Sequence, residues 1–191
     1  MDEARVQLWW LPVGAGGHVV IHTSRWWECV RARLDHRAPQ PLFHSALIVR
    51  LGGAEYVIEM SPAWGRHDPA RGVVATGPVG LGWLGRSRLF RYEVRCWRDG
   101  VLPDRAFAAA APVEFRLSPS AGAAMLQRAA QVPRHVWGRR VPGSADMWNS
   151  NSLVSWLLHG AGIDAGTIRP PHGGSAPGWA AGLAAASVSP P

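Results

Sequence analysis

Residues 43–60 read FHSALIVRLGGAEYVIEM, two runs of apolar and β-branched residues on either side of Gly52-Gly53. Paired glycines accept the positive φ of a tight turn, so the stretch predicts an antiparallel hairpin. With Gly52 and Gly53 as a two-residue turn, Leu51 pairs with Ala54, and counting outward sets Ala46 opposite Glu59 and His44 opposite Ser61. His44 and Glu59 then share a sheet face as diagonal neighbours, roughly 7–8 Å apart at the backbone. A carboxylate that holds an imidazole in one tautomer is what a general base requires. The competing reading is packing: alternation groups His44 with Ala46 and Ile48, and a lone histidine on such a face is more often a core residue.

Outward from the hairpin, VQLWWLPV (6–13), HVVIHT (18–23), RLFRYEVRCW (88–97) and VEFRL (113–117) read as strands. In 88–97, Leu89, Arg91, Glu93 and Arg95 alternate with Phe90, Tyr92, Val94 and Cys96, the pattern of a half-buried strand. TSRWWECVRARLDH (23–36) has Thr23 and Ser24 as caps and helical spacing, and SPSAGAAMLQRAAQV (118–132) opens on Ser118-Pro119 and stops at Pro133. DRAFAAAAP (104–112) reads as linker or short helix. A last helix runs from Asn149 to near Gly160, and residues 169–191, rich in Pro, Gly and Ala, read as an irregular arm. The expectation is an α+β fold, a mostly antiparallel sheet packed against helices, as one domain over 1–168 followed by the arm.

At 191 residues and 47% hydrophobic, the chain is long enough for one substantial core. All 20 basic residues are arginine against 13 acidic ones, giving +7. The arginines are scattered among abundant Ala, Gly and Pro, which reads as compositional bias, and no nucleic-acid partner is expected. Cys29 and Cys96 lack metal or disulfide spacing and read as buried apolar residues. His18 and His22 share a strand face without matching carboxylates, and GAGGH lacks phosphate-loop spacing, so neither metal nor cofactor is expected. There is no basic-then-apolar leader and no run near the roughly 18 apolar residues of a membrane span. A soluble, cytoplasmic protein is the expectation.

The helix starting WNSNSLVSWLL (148–158) poses the functional question. Asn and Ser there cap free backbone N–H groups, or one serine is a nucleophile. Counting i+3, i+4, i+7 and i+8 from Ser150 gives Leu153, Val154, Leu157 and Leu158, so Ser150 tops the apolar stripe; the same steps from Ser152 give Ser155, Trp156, His159 and Gly160, a more polar face. Ser150 is the serine aimed at the sheet, in a turn whose N–H groups favour an oxyanion.

Together, FHSALIV, EYVIEM and WNSNSLVSWLL resemble the circularly permuted papain-like fold of the NlpC/P60 superfamily, in its YiiX-like and lecithin:retinol acyltransferase-like branch, over about residues 17–160. The resemblance implies a hydrolase or acyltransferase acting on an ester or amide, with His44 as base, Glu59 orienting it and Ser150 where the family has cysteine. Serine in that place reads as a native hydroxyl nucleophile, a replaced cysteine or the mark of an inactive domain. The competing function is a binding module that keeps the pocket and holds an acyl or peptide ligand. Adjacent Trp9-Trp10 and Trp26-Trp27 point one ring of each pair away from the core. Beside arginine such rings suit peripheral contact with an anionic membrane and a lipid substrate, as the resemblance also implies. The plain alternative packs them under the N-terminal strands and first helix.

Overall fold

The computed structural model describes residues 3–14, 32–33, 36, 38–63 and 72–188. HVVIHT, His18, His22, Trp26, Trp27, Cys29 and most of the first expected helix lie outside the described residues.

Six strands form one antiparallel sheet: β1 (Ala4–Pro12), β2 (Phe43–Leu51), β3 (Ala54–Pro62), β4 (Val73–Pro78), β5 (Arg91–Arg98) and β6 (Val113–Leu117), in the order β4-β5-β3-β2-β1-β6. Gly52 and Gly53 take φ of 58° and 78°, and the hairpin register is Leu51 with Ala54 through Leu47 with Ile58, as the glycine pair dictates. The pairing stops there. β2 continues to Phe43 beside β1 alone, and β3 continues to Pro62 beside β5 alone, so the pairs counted further out, Ala46 with Glu59 and His44 with Ser61, lie past the end of the ladder.

Three helices, α1 (Pro119–Ala129), α2 (Ser150–Gly160) and α3 (Trp179–Val188), cover one face. Ser118 caps α1, its hydroxyl accepting from the Ala121 N–H at 3.2 Å, with proline in the first turn as expected. Alternation along β2 sends Phe43, Leu47 and Val49 into the core with Leu153, Val154 and Leu157 of α2. Ala46 and Ile48 face the other way, into a smaller cluster with Trp9, Leu11, Val57 and Leu102, capped by a 3₁₀ turn at Pro103–Phe107. Each fully buried Leu or Val contributes about 1.5–3 kcal/mol. No helix of the described residues is long and apolar enough to cross a membrane.

Four features depart from the sequence expectations. Residues 179–188, expected within an irregular arm, form α3, whose Trp179, Ala181, Ala185 and Ala186 belong to the main core. Small residues let α3 lie close against α2, and apolar residues all around it leave no stripe to read. Trp9 and Trp10 are both buried because the sheet is covered on both faces; Trp10 packs 5.1 Å from Trp179, ring to ring, and Arg105 sits over Trp9. The charged face of β5 is buried as well, at Glu93 and Arg95. β4, bounded by glycine and proline and only six residues long, carried no strand signal.

The α2–α3 contact yields the first prediction. A Cβ on Gly182 would lie 2.1 Å from both the Ser152 carbonyl oxygen and Ser155 Oγ. Gly182→Ala should therefore cost about 1–3 kcal/mol by overpacking, despite the better helix propensity of alanine. Urea unfolding checks this; an unchanged or raised midpoint would show that the helices are not in close contact.

Candidate functional site

The first turn of α2 explains its own polar run. Asn149 is extended, its Oδ1 accepts from the Asn151 N–H at 2.9 Å, and Ser152 Oγ accepts from the Asn149 N–H at 3.0 Å, a reciprocal cap. Ser152 Oγ donates to the Gly178 carbonyl at 2.7 Å and Ser155 Oγ to that of Trp179 at 2.8 Å, so the first two turns of the face that looked polar are buried, while His159 and Gly160 at its far end are exposed. Every residue from Ser150 to Leu158 is buried. The contrast between an inward Ser150 and an outward Ser152 therefore fails, because α3 covers the second face.

Asn151 holds the helix to the sheet. Its Oδ1 accepts from Ser45 Oγ at 2.8 Å, and its Nδ2 donates to the carbonyls of Phe43 at 2.9 Å and Pro177 at 2.8 Å. Beside it, the Phe43 N–H donates to the Ser175 carbonyl at 2.9 Å. These bonds occupy the edge of β2 that β3 has left, and they satisfy a backbone whose groups would otherwise be buried unpaired.

Among the described residues no hydrogen bond or ion pair joins the three residues expected to form a triad. Ser150 is 5% exposed and its hydroxyl has no hydrogen-bond partner among the described residues. β2 presents Ser45, not His44, to the start of α2. His44 pairs with Leu11 of β1 and shares the opposite face with Ala46 and Ile48. There its Nε2 lies 4.0 Å from Asp104 Oδ2, each side chain about one-third exposed. That separation is electrostatic contact and too long for a hydrogen bond. Burial pushes the His44 pKa below its usual 6.5, with the Asp104 charge opposing, so the ring is neutral at neutral pH.

Glu59 has another partner. It stands directly opposite Arg95 across β3 and β5, and its Oε1 accepts from Arg95 Nη1 at 2.9 Å. Arg95 Nη2 also donates to Glu93 Oε2 at 3.1 Å, so one guanidinium joins two carboxylates. A directly opposed cation outcompetes an imidazole on a strand that has already separated. The expected role of Glu59 in orienting His44 is thus replaced by ion pairing, and Asp104 is the carboxylate beside His44. Sequence reasoning missed Asp104 because it lies in a stretch without periodicity, and missed Ser45 and Asn151 because both read as ordinary polar neighbours of more reactive residues.

Cys96 offers no substitute nucleophile: burial pushes its thiol up to about 11, so it stays protonated at neutral pH. Among the described residues no group of three or more His, Cys, Asp or Glu is placed to hold a metal ion. In comparisons with known proteins, no family model, no curated protein and no solved structure matches the chain.

The neutral His44 has a consequence for stability. Because its pKa is lower folded than unfolded, the unfolded chain binds more protons as pH falls through 6.5, so His44 contributes stability above that pH that is lost progressively below it. Between pH 8 and pH 5 the wild type should therefore lose more unfolding free energy than His44→Gln, as read from urea unfolding across that range. Parallel pH profiles for the two proteins would show that His44 is not desolvated.

Proposed function

We propose that this chain is a binding module of the permuted papain-like, NlpC/P60-like type, which holds an acyl ligand without forming an acyl-Ser150 intermediate. One observation carries the reading: β2 turns Ser45 towards the start of α2 and His44 towards Asp104, so that among the described residues no base is hydrogen-bonded to the Ser150 hydroxyl. A serine hydroxyl without a base is a poor nucleophile, since its own ionisation lies far above neutral pH. What remains at the helix start is a cap and a lock.

The ligand site assigned on this reading is the cleft of about 320 Å³ lined by Ala63, Val73, Thr76, Arg88, Arg91 and Glu93. Ala63 and Val73 give an apolar wall, Arg88 an exposed cation, and Glu93 is ion-paired to Arg95, which it shares with Glu59. Such a lining suits a carboxylate or phosphate head on a short apolar chain. The volume lies at the small end of ordinary ligand sites, which favours a short acyl group. The cytoplasm is the compartment proposed for it.

One observation favours a second reading, hydrolase or acyltransferase activity on an ester or amide. His44 is neutral, part-exposed and beside a carboxylate, the state a general base needs. Treatment with a fluorophosphonate and mass spectrometry of the product separates the two. The binding reading predicts no label on Ser150 and no turnover of short acyl esters. It also predicts calorimetric binding of a short-chain carboxylate that Arg88→Ala weakens about ten-fold, the loss of one charge-assisted hydrogen bond. Labelled Ser150 with ester turnover abolished by His44→Gln would establish the enzyme instead.

A further inference from the structure

We infer that the connection between β4 and β5 is a docking surface for an anionic lipid bilayer. Residues 81–90, LGWLGRSRLF, leave Leu81, Trp83, Leu89 and Phe90 exposed, Trp83 to 72%. Four of the eight exposed large apolar side chains among the described residues fall within these ten positions, so they form a patch and not a scatter. Arg88 and Arg91 belong both to this surface and to the ligand cleft, whereas Trp83 and Arg86 belong to the surface and not to the cleft lining.

The patch is held out by ordered backbone. Two 3₁₀ turns, Gly82–Arg86 and Arg88–Phe90, are closed by bonds from Leu84 N to Leu81 O, Ser87 N to Leu84 O and Phe90 N to Ser87 O. Their base is tied to the body of the protein: the Val79 N–H donates to the Phe90 carbonyl at 2.8 Å and the Gly80 N–H to that of Trp137 at 3.0 Å. Arg91 Nε donates to the Gly85 carbonyl, and Arg139 Nε to the Gly80 carbonyl at 2.7 Å. The exposed rings are thus presented by a structure already ordered on folding, which lowers the entropy lost on binding.

Charge selects the occupant. From Val73 to Tyr92 there is no Asp or Glu, while Arg86, Arg88 and Arg91 fall in or beside the patch and Arg139 adjoins it. The first acid that follows, Glu93, is paired with Arg95. Exposed tryptophan, phenylalanine and leucine among arginines match a headgroup layer, where rings sit at the apolar boundary and guanidinium groups meet phosphates and carboxylates. Of the tryptophan pairs expected to meet a bilayer, Trp9-Trp10 is buried and Trp26-Trp27 lies outside the described residues, and the inferred contact is a lobe at the β4 edge of the sheet.

Co-sedimentation of the whole chain with vesicles tests this, with Trp83 and Arg86 as probes because both are exposed. The chain should sediment with phosphatidylcholine vesicles containing phosphatidylserine and not with phosphatidylcholine alone. Arg86→Ala should weaken partitioning roughly five-fold, as for one basic residue at an anionic surface. Trp83→Ala should weaken it at least as much, both with unchanged thermal unfolding. Absence of sedimentation with the anionic vesicles, or sedimentation unaffected by Trp83→Ala, would overturn the inference. So would sedimentation equilibrium showing a dimer that Trp83→Ala dissociates in a chain that does not bind vesicles, which would assign the patch to a second copy.

Discussion

Where β2 parts from β3, the Phe43 carbonyl loses a neighbouring strand, and Asn151 supplies its partner, and one for the buried Ser45 hydroxyl, from the first turn of α2. A buried polar group left unpaired costs about 1–3 kcal/mol, so this one side chain protects a large share of a stability that is typically only 5–15 kcal/mol. It also fixes orientation. Once Asn151 is bonded to Ser45, alternation along the strand obliges His44 to face away from the helix, and the separation of the expected catalytic residues follows from it.

The opposite face of the sheet is organised by charge. Glu59, Arg95 and Glu93 form a largely buried chain across β3 and β5, with Glu59 at its more exposed end, and His44 lies beside Asp104 on the same side. Removing Arg95 would leave two carboxylates uncompensated, whereas the intact arrangement adds little net stability over apolar packing. Its contribution is register: Glu59 sits opposite Arg95 only with the strands aligned as they are. The same arrangement pairs Glu59 with Arg95, and among the described residues Asp104 is the carboxylate in contact with the imidazole.

Local signals were legible and neighbour relations were not. The Gly52-Gly53 turn fixed its own register, because a two-residue loop leaves one pairing. Ser118-Pro119 and Asn149 likewise marked helix starts that the backbone adopts. The partner of Glu59 was hidden because β5, not the sequence-adjacent β4, lies beside β3, and chain order carries no such information. The environment of Ser150 was hidden because a helical wheel assumes one covered face, whereas α3, built of Ala and Gly with little periodicity, covers the second. Trp9 and Trp10 misled for the same reason, on a sheet covered from both sides.

Ser45 faces the start of α2 while His44 does not, and double-mutant cycles measure that directly. Unfolding free energies for alanine variants at Ser45 and Asn151, singly and together, should give a coupling within about 0.5–3 kcal/mol, the range for residues that share a buried hydrogen bond. The cycle between His44 and Ser150 should give none beyond error. Coupling between His44 and Ser150 with none between Ser45 and Asn151 would mean that β2 is turned the other way and that the imidazole reaches the helix start.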